Sequence, residues 1–201
     1  MAVYLKNSVF IHIPKTGGLW VKKCLKQHVE CEKRSPRGQA HSTPDLNEGC
    51  GAFAFVRHPE SWLRSLFTHR RIKLWNWQSN ELEATCGSNK FNLFIENICN
   101  NQGIITKFFD QYIHKYREKC PAAWPGVCGR IIIGKQENLC EDFISSLTHF
   151  NEVFDKEPII KMGTVKIHPS KHQKDTVLSK VEKHRLYESQ QDFYDMYGYA
   201  V

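Results

Sequence analysis

The stretch Val9-Phe10-Ile11-His12-Ile13-Pro14-Lys15-Thr16-Gly17-Gly18 limits what this chain can fold into more than any other. The apolar run is that of a β-strand covered on both faces, and the strand region is read as Val3 to Ile13. Pro14 to Gly18 breaks it. From Leu19 to Val29 the apolar residues Trp20, Val21, Cys24, Leu25 and Val29 recur at helical spacing, with Lys22, Lys23, Lys26 and Gln27 on the other face. The unit is therefore strand, glycine loop, helix. In an open parallel α/β sheet, ligands bind beyond the carboxyl ends of the strands, where a loop entering a helix offers unpaired backbone N–H groups to an anion. Gly17 and Gly18 let the backbone approach such an anion, Thr16 adds a hydroxyl donor, Lys15 adds a point charge, and the helix dipole reinforces the attraction.

The rest of the chain repeats the pattern. Ala52 to Val56 reads as a second buried strand, ended by Arg57-His58-Pro59 and followed by a helix carrying Trp62, Leu63, Leu66 and Phe67. Ile131 to Ile133 reads as a third, followed by a helix with Leu139, Phe143, Ile144 and Leu147. Between these units, Glu30 to Gly51 is polar and reads as loop with a helical turn near Pro44 to Asn47. From about Leu74 to Tyr116 the periodicity predicts two helices, one through Phe91 to Ile98 and one through Phe108 to Tyr116. The basic stretch from Asp155 to Lys174 reads as loop, and a last amphipathic helix runs from about Val177 to Tyr197, stopped by Gly198. Strands alternating with helices imply a single α/β domain over residues 1–201, with a central parallel sheet flanked by helices.

Composition narrows the partners. The excess of 28 Lys+Arg over 21 Asp+Glu, a formal charge of +7, favours an anionic ligand without choosing among nucleotide, sulfated or phosphorylated substrate, nucleic acid and membrane surface. No apolar run reaches the roughly 18–20 residues of a membrane span, and no basic segment leads into a signal-type apolar stretch. A cytoplasmic protein with reduced, packed cysteines is the expectation. No metal site is expected, because Cys24 and Cys31, the closest of the 8 cysteines, are seven positions apart and form no zinc knuckle.

Two readings compete for the loop on residues alone. One is a tight turn with a solvated lysine. The other is the phosphate loop of kinases and nucleoside triphosphatases, G-x-x-x-x-G-K-S/T, but here Lys15-Thr16 follows Phe10-Ile11-His12-Ile13-Pro14 and no glycine precedes the lysine.

The residues resemble the sulfotransferases that use 3′-phosphoadenosine-5′-phosphosulfate (PAPS), a P-loop-like fold, closest in motif style to carbohydrate and bacterial members. Their first loop reads P-K-S/T-G-G/T-S/T, which Pro14-Lys15-Thr16-Gly17-Gly18-Leu19 matches except at Leu19. The resemblance implies that backbone N–H groups from Thr16 to Trp20 hold the 5′-phosphate, Lys15 sits on the oxygen bridging phosphate and sulfate, and Trp20 packs against adenine. A second family pattern, R-N/D/H-P-x5-S, holds the 3′-phosphate. Arg57-His58-Pro59 leads to Ser65 eight positions after Arg57, so Arg57 and Ser65 take that role by resemblance.

Sulfuryl transfer to a hydroxyl needs a base for the acceptor proton and a cation for the leaving phosphate oxygen, and an in-line displacement needs no metal. By resemblance Lys15 is the cation and His41 the base, with Glu48 and Glu60 as carboxylate alternatives, while His12 reads as a packed residue and His58 as part of the 3′-phosphate corner or the turn. The late stretch Gly134 to Leu139 resembles one that frames the nucleotide cleft, with Glu137 structural. Ser170 and Lys171, with Lys166, fall where the family brings a mobile basic segment over the donor, although a solvated basic loop reads equally well. Residues 74–120 become a helical acceptor-side insertion. Trp75 and Trp77 with Arg70, Arg71 and Lys73 either rim an acceptor site or pack internally. The implied acceptor is a hydroxyl, on a carbohydrate, with no nucleic acid as partner and no membrane span. A phosphotransferase and a non-catalytic polyanion-binding module are the rival classes.

Overall fold

The computed structural model describes residues 2–34, 51–72, 80–117, 127–128, 131–163 and 176–200, with 31–34, 71–72, 115–117 and 127–128 described by their backbone alone. The chain forms two compact units, Met1–Arg57 with Tyr112–Pro169 and His58–Gln111 with Ser170–Val201.

The first unit holds the sheet. Its strands are β1 (Val3–Leu5), β2 (Ser8–Phe10), β3 (Cys31–Arg34), β4 (Gly51–Val56), β5 (Val127–Cys128) and β6 (Ile131–Lys135), in the spatial order β3-β1-β2-β4-β6-β5. The expected parallel arrangement holds at the centre, where β2 pairs with β4 and β4 with β6. It does not hold outside, because β1 joins β2 and β3 antiparallel and β5 joins β6 antiparallel. The fold is thus α/β with a mixed sheet.

The reason lies in the strand region of residues 3–13. It is not one strand but a hairpin that reverses at Lys6-Asn7 and pairs Val3 with Phe10. The Glu152 carboxylate fixes the reversal, accepting from the Asn7 N–H at 2.9 Å and the Ser8 hydroxyl at 2.7 Å. β3 falls in a stretch read as loop. Its Cys-Glu-Lys-Arg sequence has no apolar alternation, and as an edge strand it is charged in the way that discourages further pairing.

β4 is buried along its whole length. Successive side chains of a strand point to opposite faces, so Phe53 and Phe55 share one side. There they join Phe10, Trp20 and Val21 of α1 (Gly18–His28), and Phe143 and Leu147 of α6 (Leu139–His149). The Phe10 and Phe53 rings lie 5.4 Å apart and those of Phe53 and Phe143 6.0 Å apart. α7 (Lys156–Gly163) adds Ile159 to the same core.

The second unit is helical: α2 (Pro59–Ile72), α3 (Glu81–Cys86), α4 (Phe91–Cys99), α5 (Ile104–Arg117) through Gln111, α8 (Lys180–Ser189) and α9 (Gln191–Tyr197). Trp62 lies 4.8 Å from Phe108, ring to ring, and Phe109 lies 4.8 Å from Phe193. Two departures from the periodicity have local causes. α3 is only six residues long, too short for a periodic signal, and is started by the Asn80 side chain accepting the Glu83 N–H. The expected last helix is two, because the fully buried Gln190 interrupts it. Its side-chain oxygen accepts the Ile105 N–H at 3.0 Å, while its amide donates to the carbonyls of Ile98 at 3.1 Å and Asn101 at 3.0 Å. One side chain thus ties the α4–α5 connection to the α8–α9 break.

Cys24, Cys86, Cys99 and Cys140 are free thiols. Burial pushes the Cys24 thiol from its ordinary 9.0 up to about 12, with the neighbouring Cys140 adding to the rise, and pushes Cys86 up to about 11.

Two outcomes follow from this packing. Gln190→Ala strands one buried N–H and two carbonyls and should cost about 2–4 kcal/mol in urea unfolding, where a loss within 0.5 kcal/mol would contradict the clasp. Cys24 and Cys86 stay protonated in the fold while unfolded thiols ionise near pH 9. Their contribution to stability is therefore complete below about pH 9 and declines as pH rises toward the folded values. Iodoacetamide at pH 8.5 should leave both unmodified in the native protein and alkylate both in urea, as mass spectrometry would read.

Candidate functional site

In the parallel part of the sheet the carboxyl ends of β2, β4 and β6 share one edge, since Phe10 pairs with Phe53 and Val56 with Lys135. Residues 11–17 leave β2 there, Arg57 leaves β4, and a 3-10 turn, Gln136–Asn138, leaves β6.

The loop after β2 is built from left-handed backbone. Lys15 has φ 68° and Gly17 φ 88°, with Thr16 between them. Glycine accepts such a φ without penalty, whereas lysine does so at a cost of order 1 kcal/mol. Gly17 cannot carry a side chain for a second reason: a Cβ there would come within 2.6 Å of the Leu139 side chain. The turn is closed from inside by Thr16, which is buried and donates its hydroxyl proton to the Ile13 carbonyl at 2.9 Å. The hydroxyl expected to serve a ligand therefore serves the turn, and Thr16 offers a ligand only its backbone.

Gly17 is the N-cap of α1, and no side chain caps the helix. The N–H groups of Trp20 and Val21 both reach the Gly17 carbonyl, at 2.9 and 3.2 Å. Those of Gly17, Gly18 and Leu19 have no carbonyl inside the helix to bond, as at every α-helix start. The first turn carries no acidic side chain, so the positive end of the dipole is uncompensated there. Backbone donors and the dipole coincide at this helix start, three residues after Lys15, which is the local chemistry of an oxyanion cradle.

Two side chains around this cradle were not read as functional from the sequence. The His12 ring lies against the Gly18 Cα so closely that a Cβ at Gly18 would overlap it. Lys22, assigned to the solvent face, is half-buried, and that burial lowers its ammonium pKa from the ordinary 10.5. It follows Gly18 by four residues and so shares that residue's face of α1. The spacing from Gly18 was the available signal.

Arg57 brings the second motif to the first. Its guanidinium Nη1 donates to the Lys15 carbonyl at 3.3 Å, joining residues 42 apart in sequence. The β6 side closes in through Gln136 and Leu139, both next to Gly17, while Glu137 is exposed in the 3-10 turn.

Trp20 does not match its expected role. Its indole is buried in the sheet core, meets Phe143 edge-on at 5.6 Å, and donates Nε1–H to the Met162 carbonyl at 3.0 Å. It packs α1 against α6 and α7 rather than forming a platform for adenine. Leu19 is 61% exposed and supplies an N–H but no hydroxyl.

Other expected residues lie in the second unit. Ser65 is half-buried on α2. Glu60 is committed to ion pairs with Arg64 at 2.5 Å and Lys183 at 3.1 Å, and Arg70 is buried in an ion pair with Glu83 instead of rimming an acceptor site. His58 donates Nε2–H to the Ala200 carbonyl at 3.0 Å and sits edge-on to Tyr194 and Tyr199. His41, Glu48, Lys73, Trp75, Trp77, Lys166, Ser170 and Lys171 lie outside the described residues, and Arg71 is described by backbone alone.

Among the described residues no group of three His, Cys, Asp or Glu side chains is arranged to hold a metal ion, and no helix is long and apolar enough to cross a membrane. No family model matches the chain, and no curated protein or solved structure matches it either.

The closeness of Gly18 to His12 sets a test of the cradle's packing. Gly18→Ala should destabilise by about 1–3 kcal/mol through overpacking, and Gly18→Ala combined with His12→Ala should be more stable than the sum of the two single losses implies. Additive losses in chemical denaturation would mean that the ring does not abut the helix start.

Proposed function

We propose that this chain is a sulfotransferase that binds PAPS at the edge formed by β2, β4 and β6 and transfers its sulfuryl group to a hydroxyl, on a carbohydrate. One observation supports this above the others: the strand-end Arg57 and the lysine-glycine loop meet through the hydrogen bond to the Lys15 carbonyl. A single anion cradle is common, whereas a cradle joined to a second, forked cation suits a ligand with two separated phosphates.

The start of α1 also suits an anionic donor, since no side chain caps it and its first turn carries no acidic residue. When bound, the donor supplies the activated sulfuryl group. The backbone N–H groups of Gly17, Gly18 and Leu19 hold its 5′-phosphate. Lys15 neutralises the charge that develops on the leaving phosphate oxygen, a stabilisation realised mainly in the transition state. Arg57 offers the fork of donors suited to the 3′-phosphate, and Ser65 keeps its part from the R-N/D/H-P-x5-S spacing alone. With Trp20 committed to the core, adenine is held by other groups. His41 takes the acceptor proton, as the resemblance implies, since a histidine near its ordinary pKa of ~6.5 accepts protons at neutral pH.

The deciding measurement is thermal stabilisation by 3′,5′-adenosine bisphosphate without added metal. At a hundredfold excess over Kd the melting temperature should rise by roughly 5 °C or more. Lys15→Ala should lower the rate of sulfuryl transfer from PAPS by about 10²–10³-fold. Stabilisation by ATP with magnesium and none by the bisphosphate would instead mark a phosphotransferase.

A further inference from the structure

We infer that Arg57 is a positioning residue for the 5′-phosphate loop as well as a ligand for the 3′-phosphate, so that the two grips of the donor site are coupled through one guanidinium. The inference rests on the donor-site reading given above and assigns Arg57 a task that reading does not contain.

The geometry makes the link. Lys15 occupies a left-handed conformation that its side chain disfavours, and its carbonyl direction is therefore set by something other than intrinsic preference. Two contacts bear on it. From below, Thr16 closes the turn on the Ile13 carbonyl at 2.9 Å. From the side, Arg57 donates to the Lys15 carbonyl at 3.3 Å. The carbonyl of Lys15 and the N–H of Thr16 belong to the same rigid peptide plane, so the arm that fixes the carbonyl fixes the donor leading into Gly17 and Gly18. Arg57 is itself anchored, because it follows directly on β4, which is buried throughout and paired on both sides.

A guanidinium has five N–H donors in a fixed planar fork. An anion that orients the guanidinium plane also orients the arm on the Lys15 carbonyl. A 3′-phosphate then stiffens the 5′ cradle without touching it, and a nucleotide lacking that phosphate loses preorganisation in addition to a contact. This makes Arg57 a specificity determinant for adenine nucleotides phosphorylated at both 3′ and 5′ over those phosphorylated at 5′ alone. A lysine at 57 keeps a charge for the phosphate but cannot extend a planar fork to both partners.

The test compares wild type with Arg57→Lys and Arg57→Met using two probes and one readout that needs no ligand. The probes are 3′,5′-adenosine bisphosphate and adenosine 5′-monophosphate, titrated calorimetrically. The second has no 3′-phosphate, so a residue that only holds that phosphate leaves its affinity unchanged. The ligand-free readout is amide hydrogen exchange over residues 14–20, with the amides of β2 and β4 showing that the variants are folded. We expect both variants to weaken the monophosphate by roughly fivefold or more, to weaken the bisphosphate further, and to speed exchange in the loop while the strands stay protected. Loss of bisphosphate affinity alone, with the monophosphate and loop exchange unchanged, overturns the coupling and leaves the donor-site reading standing. Wild type that binds neither nucleotide overturns both.

Discussion

The parallel pairing of β2, β4 and β6 is the constraint on which the first unit depends. β4 is buried from Gly51 to Val56, so its backbone groups have no water to turn to and must be paired on both sides. β2 and β6 supply those partners, and because all three run the same way, their carboxyl ends open at one edge. Everything that resembles chemistry in this unit follows from that edge. The glycine loop is there because β2 ends there, and Arg57 is there because β4 does. The left-handed turn at Lys15 and Gly17 then converts a strand exit into a helix start whose donors face outward.

The cradle is held by polar contacts directed inward as much as by open geometry. Thr16 turns its hydroxyl to Ile13, and Trp20 turns its indole to Met162. Both residue types look like ligand contacts in a sequence, and both are committed to the scaffold. Thr16 therefore offers a ligand only its backbone, and the Trp20 indole offers it no face.

Much of this was legible from the residues. The strand-loop-helix at Val9 to Val29 and the buried β4 were readable because long apolar runs and helical periodicity reflect burial directly. The features that escaped share a physical cause, which is that they depend on partners distant in sequence. Lys6-Asn7 reverses the chain because Glu152 is there to receive it. β3 is a strand because β1 offers an edge, not because Cys-Glu-Lys-Arg favours one. Gln190 breaks a helix that its neighbours would continue, because its side chain is worth more to Ile98, Asn101 and Ile105. At the site, Lys15 and Arg57 were identified by motif, while the hydrogen bond between them and the approach of His12 to Gly18 needed coordinates. Trp20 was misjudged for the opposite reason: a resemblance assigned it a ligand where its helical phase already assigned it the core.

The units interleave along the chain, each being made of an early and a late segment. The clasp at Gln190 closes contacts on residues 85 to 92 positions upstream. During synthesis, then, the sheet cannot close until β6 has been made, more than 120 residues after β2. The helical unit waits longer still, for Gln190 in the second of its two segments. Neither unit is a single contiguous segment, and a shortened chain ending before Gln190 would emerge from the ribosome with the α4–α5 connection unclasped.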